Sequence, residues 1–189
     1  MQLKELIAKN RSYRRFDQNE VFPMRVLKEM VEAARLSASA SNLQPLRYML
    51  FNTAEDCARI FPFVAWAGYM KDWPGPAEGE RPTAYIVQLC DLDLTEDWWC
   101  DDGIAAQSML LTAVEAGYGG CIIGSVQRMK LRDELDIPDR YKIIQVLALG
   151  KPAEEVVIDE MKDGDVKYWR DEQGLHHVPK RSMDSLIIG

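Results

Sequence analysis

Between Asp102 and Glu115 the chain reads DGIAAQSMLLTAVE, with no charged side chain at the twelve positions in between. Ala, Met and Leu are strong helix formers, and the apolar residues fall on every face of the helix they would make. A helix with no polar face cannot lie on a surface, so this one is expected to be buried nearly all round. The material to bury it lies on both sides in sequence. Leu46–Asn52 and Thr83–Cys90 read as strands, and Gly119–Gly124 and Ile143–Leu149 are apolar, β-branched runs that suit buried strands. The GYGG at 117–120 fits a helix end entering a strand.

The remaining elements are amphipathic. Pro23 stands where a helix can begin, and Leu27, Met30, Val31 and Ala34 follow at the spacing of one helical face. Thr53 with Asp56 three residues on resembles a capping box, with Ala54, Cys57, Ala58 and Phe61 continuing a helix. A further short helix is expected over Met129–Leu135. Residues 66–82, WAGYMKDWPGPAEGERP, form a long Gly- and Pro-rich loop, of the kind that is usually functional or mobile. Val166–Arg170 and Leu175–Val178, joined by DEQG, suggest a terminal hairpin. The apolar end of the tail, Leu186–Ile188, needs something to dock against. The length of 189 residues fits one domain spanning 1–189.

Several function classes are disfavoured. Thirty acidic against 23 basic residues leave a formal charge of −7, which repels a phosphate backbone, so no nucleic-acid partner is expected. No apolar run approaches the ~18–20 residues of a membrane span. The first ten residues read as an amphipathic helix carrying Leu3, Leu6 and Ile7, without the apolar core of a secretory signal. The four cysteines are scattered, with no C-x-x-C pair, which points to a cytoplasmic protein. His176 and His177 are adjacent and would face opposite ways on a strand, so no metal site is expected.

Against that acidic background, RSYRRF at 11–16 gathers three arginines in five residues, and SASASNLQP at 37–45 sets small hydroxyl and amide side chains before a proline. Arginine forks match phosphate oxygens, and Ser12 adds a hydroxyl. Alone, each stretch also fits ordinary surface or turn chemistry. Their order and spacing resemble the nitroreductase family of FMN-dependent oxidoreductases. Further matches follow in register: the 102–119 helix, C-I-I-G-S at 121–125, G-K-P at 150–152 and P-K-R-S at 179–182. The resemblance runs through essentially the whole chain.

The resemblance implies an α+β fold, an α/β/α sandwich with a mostly antiparallel central sheet and flanking helices, assembled as an intertwined homodimer. It implies FMN as cofactor and NADH or NADPH as electron donor. Arg11, Ser12 and Arg14 match the segment that contacts the FMN phosphate, ribityl chain and pyrimidine edge, with Arg14 near flavin N1 and O2, where it would favour negative charge on the reduced ring. Ser39, Ser41, Asn42 and Gln44 match the segment that reaches the flavin from the other subunit. Gly124 and Ser125 match the backbone near N5 and O4, and Lys180 and Arg181 match the phosphate-contacting tail. Asn10 departs from the pattern, standing where many members carry another arginine. No side-chain nucleophile is implied, and catalytic roles fall to Arg14 and Gly124 as tuners of the flavin.

The expected activity passes hydride from NAD(P)H through flavin N5 to a small planar acceptor, a nitroaromatic, quinone or activated alkene, by a ping-pong mechanism. Trp66, Tyr69 and Trp73 in the long loop are candidates for the substrate pocket, though each could equally anchor the loop to the core. The other reading that stays open is a non-catalytic flavin-binding module for sensing or storage.

Overall fold

The computed structural model describes residues 2–189. Its helices are α1 (Leu3–Lys9), α2 (Met24–Leu36), α3 (Ala54–Ile60), α4 (Asp101–Glu115) and α5 (Arg128–Glu134). Its strands are β1 (Phe16–Asp17), β2 (Leu46–Phe51), β3 (Ala84–Asp91), β4 (Gly119–Ile123), β5 (Tyr141–Pro152), β6 (Val156–Glu160), β7 (Trp169–Arg170) and β8 (His176–Lys180). Among these residues no helix is long and apolar enough to cross a membrane.

The main sheet is antiparallel throughout and is organised by β5. One edge of β5 pairs with β3, which in turn pairs with β2. The other edge takes β4 along Val146–Gly150 and then β1 at Lys151 and Pro152. Every residue of β3 is buried, as expected for a strand covered on both faces. Alternation along the strands divides the core in two. Ala84, Ile86, Leu147 and Leu149 face a cluster with Leu27, Met30, Ala106 and Met109 from α2 and α4. Tyr85, Val87, Val146 and Ala148 face Cys57, Ile60 and Leu131 from α3 and α5. The result is an α+β sandwich of helices, sheet and helices.

Local signals work as read at several ends. Thr53 accepts the Asp56 N–H at the start of α3, and Gly117, at φ +85°, provides the left-handed turn that stops α4. Pro23 stands, as expected, where α2 begins, and serves as its N-cap. Two expectations are corrected. The α4 helix is not enclosed all round: Gly103, Gln107 and Glu115 are exposed and Ile104 is 37% exposed, because α1 covers only part of that side. The terminal hairpin is shorter than expected, β7 pairing with β8 over two residues, and β8 lies parallel to an unanticipated strand, β6.

Candidate functional site

The arginine segment enters the site along the glycines of β4. Ser12 bridges to Gly120, and the Tyr13 N–H donates to the Gly120 carbonyl at 3.1 Å. A Cβ on Gly119 would sit 2.5 Å from the Tyr13 ring, so only glycine allows this passage. Arg11 folds back and donates from Nη2 to Ile7 O at 2.8 Å, placing its charge at the C-terminal end of α1. Its Nε is buried without a hydrogen-bond partner among the described residues. Burial lowers the Arg11 pKa from its ordinary value, with Tyr13 acting in the opposite direction, but a guanidinium remains charged.

Arg14 is held from behind. Its backbone N–H and that of Arg15 both donate to Glu154 Oε1. The Glu154 side chain is 1% exposed and pairs through Oε2 with Arg170 Nη2 at 2.8 Å. Burial pushes the Glu154 carboxyl up, but the neighbouring His176 ring, the Arg14 N–H and the Arg170 charge outweigh it and bring the carboxyl down to about 2. Its charge is therefore fixed at neutral pH. The Arg14 guanidinium then lies over the Tyr168 ring, 4.8 Å from the centroid.

In front of Arg14 is a cavity of about 150 Å³ that brings Arg14, Gly124 and Ser125 together with Trp66, Cys121 and Tyr168. Arg14 is the only charged side chain among the described residues that line it. The space beside the Gly124 Cα is open, with nothing within 4 Å of where a Cβ would stand. The strand end is clamped: Arg128 Nη2 donates to the Gly124 carbonyl at 3.1 Å, and the Ala65 N–H donates to the Ser125 carbonyl at 2.9 Å. Burial raises the Cys121 pKa, opposed chiefly by Arg14, so it is a thiol and not a nucleophilic thiolate.

The loop aromatics take different places. Trp66 walls the cavity and is pinned by Gly75, at φ +115°, where a Cβ would be 2.5 Å from the indole. Tyr69 meets Tyr168 edge-on at 5.1 Å. Trp73 does not line this cavity; it stacks under the Arg170 guanidinium at 4.3 Å and anchors the loop.

The second expected segment stands apart in this chain. Ser39 Oγ donates to Asp101 Oδ2 at 2.6 Å, and the Ala40 N–H donates to Oδ1 at 2.9 Å, tying the segment to the start of α4. Ser41, Asn42 and Gln44 follow with φ between 50° and 53°, a left-handed region costly for Ser and Gln. The Gln44 amide donates to both the carbonyl and the side-chain oxygen of Asn42. Ser39 and Gln44 line a cavity of about 220 Å³ that shares no lining residue with the one at Arg14. Lys180 and Arg181 are exposed at the end of β8, where Lys180 stands opposite Glu160, and line neither cavity.

Sequence reasoning missed Glu154, Tyr168 and Arg128. Only a strand pairing or a chain crossing brings each to the site. The sole sequence signal was Glu154 itself, a carboxylate two residues after G-K-P.

Residues 7–81 and 95–151 match the sequence profile of the Nitroreductase family. The chain is 22% identical over 177 residues to a Bacillus subtilis protein provisionally named NAD(P)H nitroreductase YodC, covering 78% of this chain and 88% of that one. Among solved structures, an FMN-dependent nitroreductase from Clostridium difficile superposes with a TM-score of 0.65 at 22% identity, over 81% of this chain and 89% of the other. An NADPH:FMN oxidoreductase from Vibrio harveyi, complexed with NAD+, gives a TM-score of 0.66 at 22% identity, over 86% and 74%.

Proposed function

The chain belongs to the nitroreductase family, and from that premise we propose that it is an FMN-dependent oxidoreductase carrying hydride from NADH or NADPH to a small planar acceptor. We further propose that it acts in the cytoplasm as a homodimer of subunits in which 1–189 is a single FMN-binding domain. The observation that carries the reading is the cavity at Gly124, open at the glycine and positive only through Arg14. Such a place suits a flat, electron-accepting ring.

The residues present fit FMN. Arg11 has a buried Nε in need of an acceptor, as phosphate supplies. Arg11, Ser12 and Arg14 would hold the cofactor with Lys180 and Arg181, while Ser39, Ser41, Asn42 and Gln44 would come from the second subunit. When bound, FMN supplies the hydride acceptance and release that no side chain here performs. The chain's own contribution is positional and electrostatic. Arg14, fixed by Glu154 and Tyr168, offers a positive charge in a partly buried setting, where it favours negative charge beside it. Gly124, clamped by Arg128, presents backbone without a side chain in the way. Trp66 is the wall against which a planar acceptor would stack, while Tyr69 stays outside the lining and supports Tyr168 edge-on.

The protein as purified is expected to be yellow, and anaerobic mixing with NADH or NADPH to bleach it rapidly. Double-reciprocal plots at several acceptor concentrations should give parallel lines, since donor and acceptor would use one cavity in turn. A colourless protein that ignores added FMN would sink the reading. A flavin that binds but is not reduced by either nucleotide would favour a sensor or storage role.

A further inference from the structure

Arg81, Thr83 and Tyr85 stand two residues apart where the chain enters β3, and all three line a cavity of about 130 Å³ beside α3. Each contributes a polar atom that is buried and makes no hydrogen bond among the described residues: Arg81 Nε, Thr83 Oγ1 and Tyr85 Oη. A buried donor without an acceptor is costly, and three on residues that line one cavity call for a partner there. Tyr85 is fully buried, and burial holds its phenol well above the ordinary value, so it is a neutral O–H donor.

The rest of the lining is apolar or neutral, with Ala54, Ala58, Val21 and Phe61 as walls. Arg81 is the only charged side chain among the described lining residues. Its guanidinium lies over the Phe61 ring at 4.5 Å, and its backbone N–H is taken by Gln18 Oε1. A water molecule could satisfy some of these donors, but it carries no charge to pair with the half-buried guanidinium. A carboxylate offers two oxygens with about four acceptor positions and neutralises Arg81. The volume bounds the body: at about 130 Å³ the cavity is a little smaller than the roughly 150 Å³ apolar cavity that accommodates benzene.

We propose that this cavity binds a small monocarboxylate whose apolar body is no larger than a benzene ring. The site is separate from the candidate flavin cavity and shares no lining residue with it. Phe61 nevertheless meets Trp66, a wall of that cavity, at 6.0 Å between ring centroids.

The test uses benzoate as probe and benzamide as the neutral control. Binding to the protein as purified is followed by calorimetry and by amide chemical shifts. Saturable benzoate binding is expected, with shifts centred on α3 and the start of β3. Benzamide should bind at least about tenfold more weakly, and Arg81→Gln should weaken benzoate by about tenfold or more. Tyr85→Phe keeps the buried shape and removes the orphaned hydroxyl, so it should fold and still lose affinity. No benzoate binding, equal binding of benzamide, or affinity unchanged in both variants would overturn the proposal. So would binding that disappears in Arg14→Ala but survives Arg81→Gln, which would place the carboxylate at the candidate flavin site. None of these outcomes depends on whether the protein reduces a flavin.

Discussion

Arg14 shows how one functional side chain depends on others that never touch the cavity. Its backbone is gripped by Glu154, and Glu154 is kept ionised by Arg170 and its neighbours. A carboxyl moved from 4.5 to about 2 contributes about 3 kcal/mol of stability. Because the folded-state pKa is depressed, that contribution is complete above about 4.5 and is lost as pH falls toward about 2. Glu154→Gln should therefore lower the unfolding free energy at neutral pH by about 3 kcal/mol, since Arg170 is left buried and unpaired. Urea denaturation at several pH values checks this; a variant that keeps the wild-type loss of stability between pH 4.5 and 2 would show that Glu154 is not its source. Arg14→Ala tests the proposed electrostatic role. It is expected to lower the flavin midpoint potential, because a positive neighbour favours gain of negative charge. A potential equal to wild type in a dye-equilibration titration would remove Arg14 from that role.

Among the elements, α4 is the one whose ends and faces serve different purposes. Its buried face joins the core with Met109 and Ala113. Its first residue, Asp101, is 3% exposed and holds Ser39 and Ala40, so the left-handed run that follows is fastened to a rigid helix start. A carboxylate there also favours the positive end of the helix. Asp101→Ala should cost roughly 2 kcal/mol through two lost hydrogen bonds and, if the segment serves the partner's flavin, weaken FMN retention as well. Thermal unfolding and dialysis equilibrium measure the two effects separately. Destabilisation with undiminished FMN affinity would confine the 39–44 segment to a structural task. The side of α4 with Ile104 and Gln107 is exposed, and Asn10, just past the end of α1, donates from its side chain to Gln107 Oε1 at 3.2 Å.

At the scale of the molecule, that open side belongs with other uncovered apolar surface. Ile187 is 67% exposed and Ile188 fully exposed at the tail, with Leu3 65% exposed on α1. Exposed patches of this kind mark association, and a two-fold pairing would cover them while joining the two parts of the expected FMN site. Sedimentation should therefore give a dimer, and Ile104→Arg should shift it toward monomer with parallel loss of FMN. A wild-type monomer that holds one flavin per chain would refute both the pairing and the split site.

Much of this protein was legible before folding. Thr53 at its cap, the face of α2 and the apolar runs of β3 and β5 are set by rules that act within one turn or one strand. The Arg11–Arg15 cluster and the small residues at 37–42 stood out because they broke with an acidic background. The grouping of Arg14 with Gly124 is different in kind, since it required the chain to cross β4 at glycines that admit the Tyr13 ring. Glu154, Tyr168 and Arg128 carried no local signal, because a buried ion pair and a ring under a guanidinium are made by residues brought together only when the sheet closes. Thr83, just before β3, and Tyr85 within it read in sequence as ordinary strand residues; only the packing of α3 around them left their hydroxyls without acceptors among the described residues. Hydrophobic periodicity thus determined the layers, and tertiary burial decided which polar groups within them are paired, strained or waiting for a ligand.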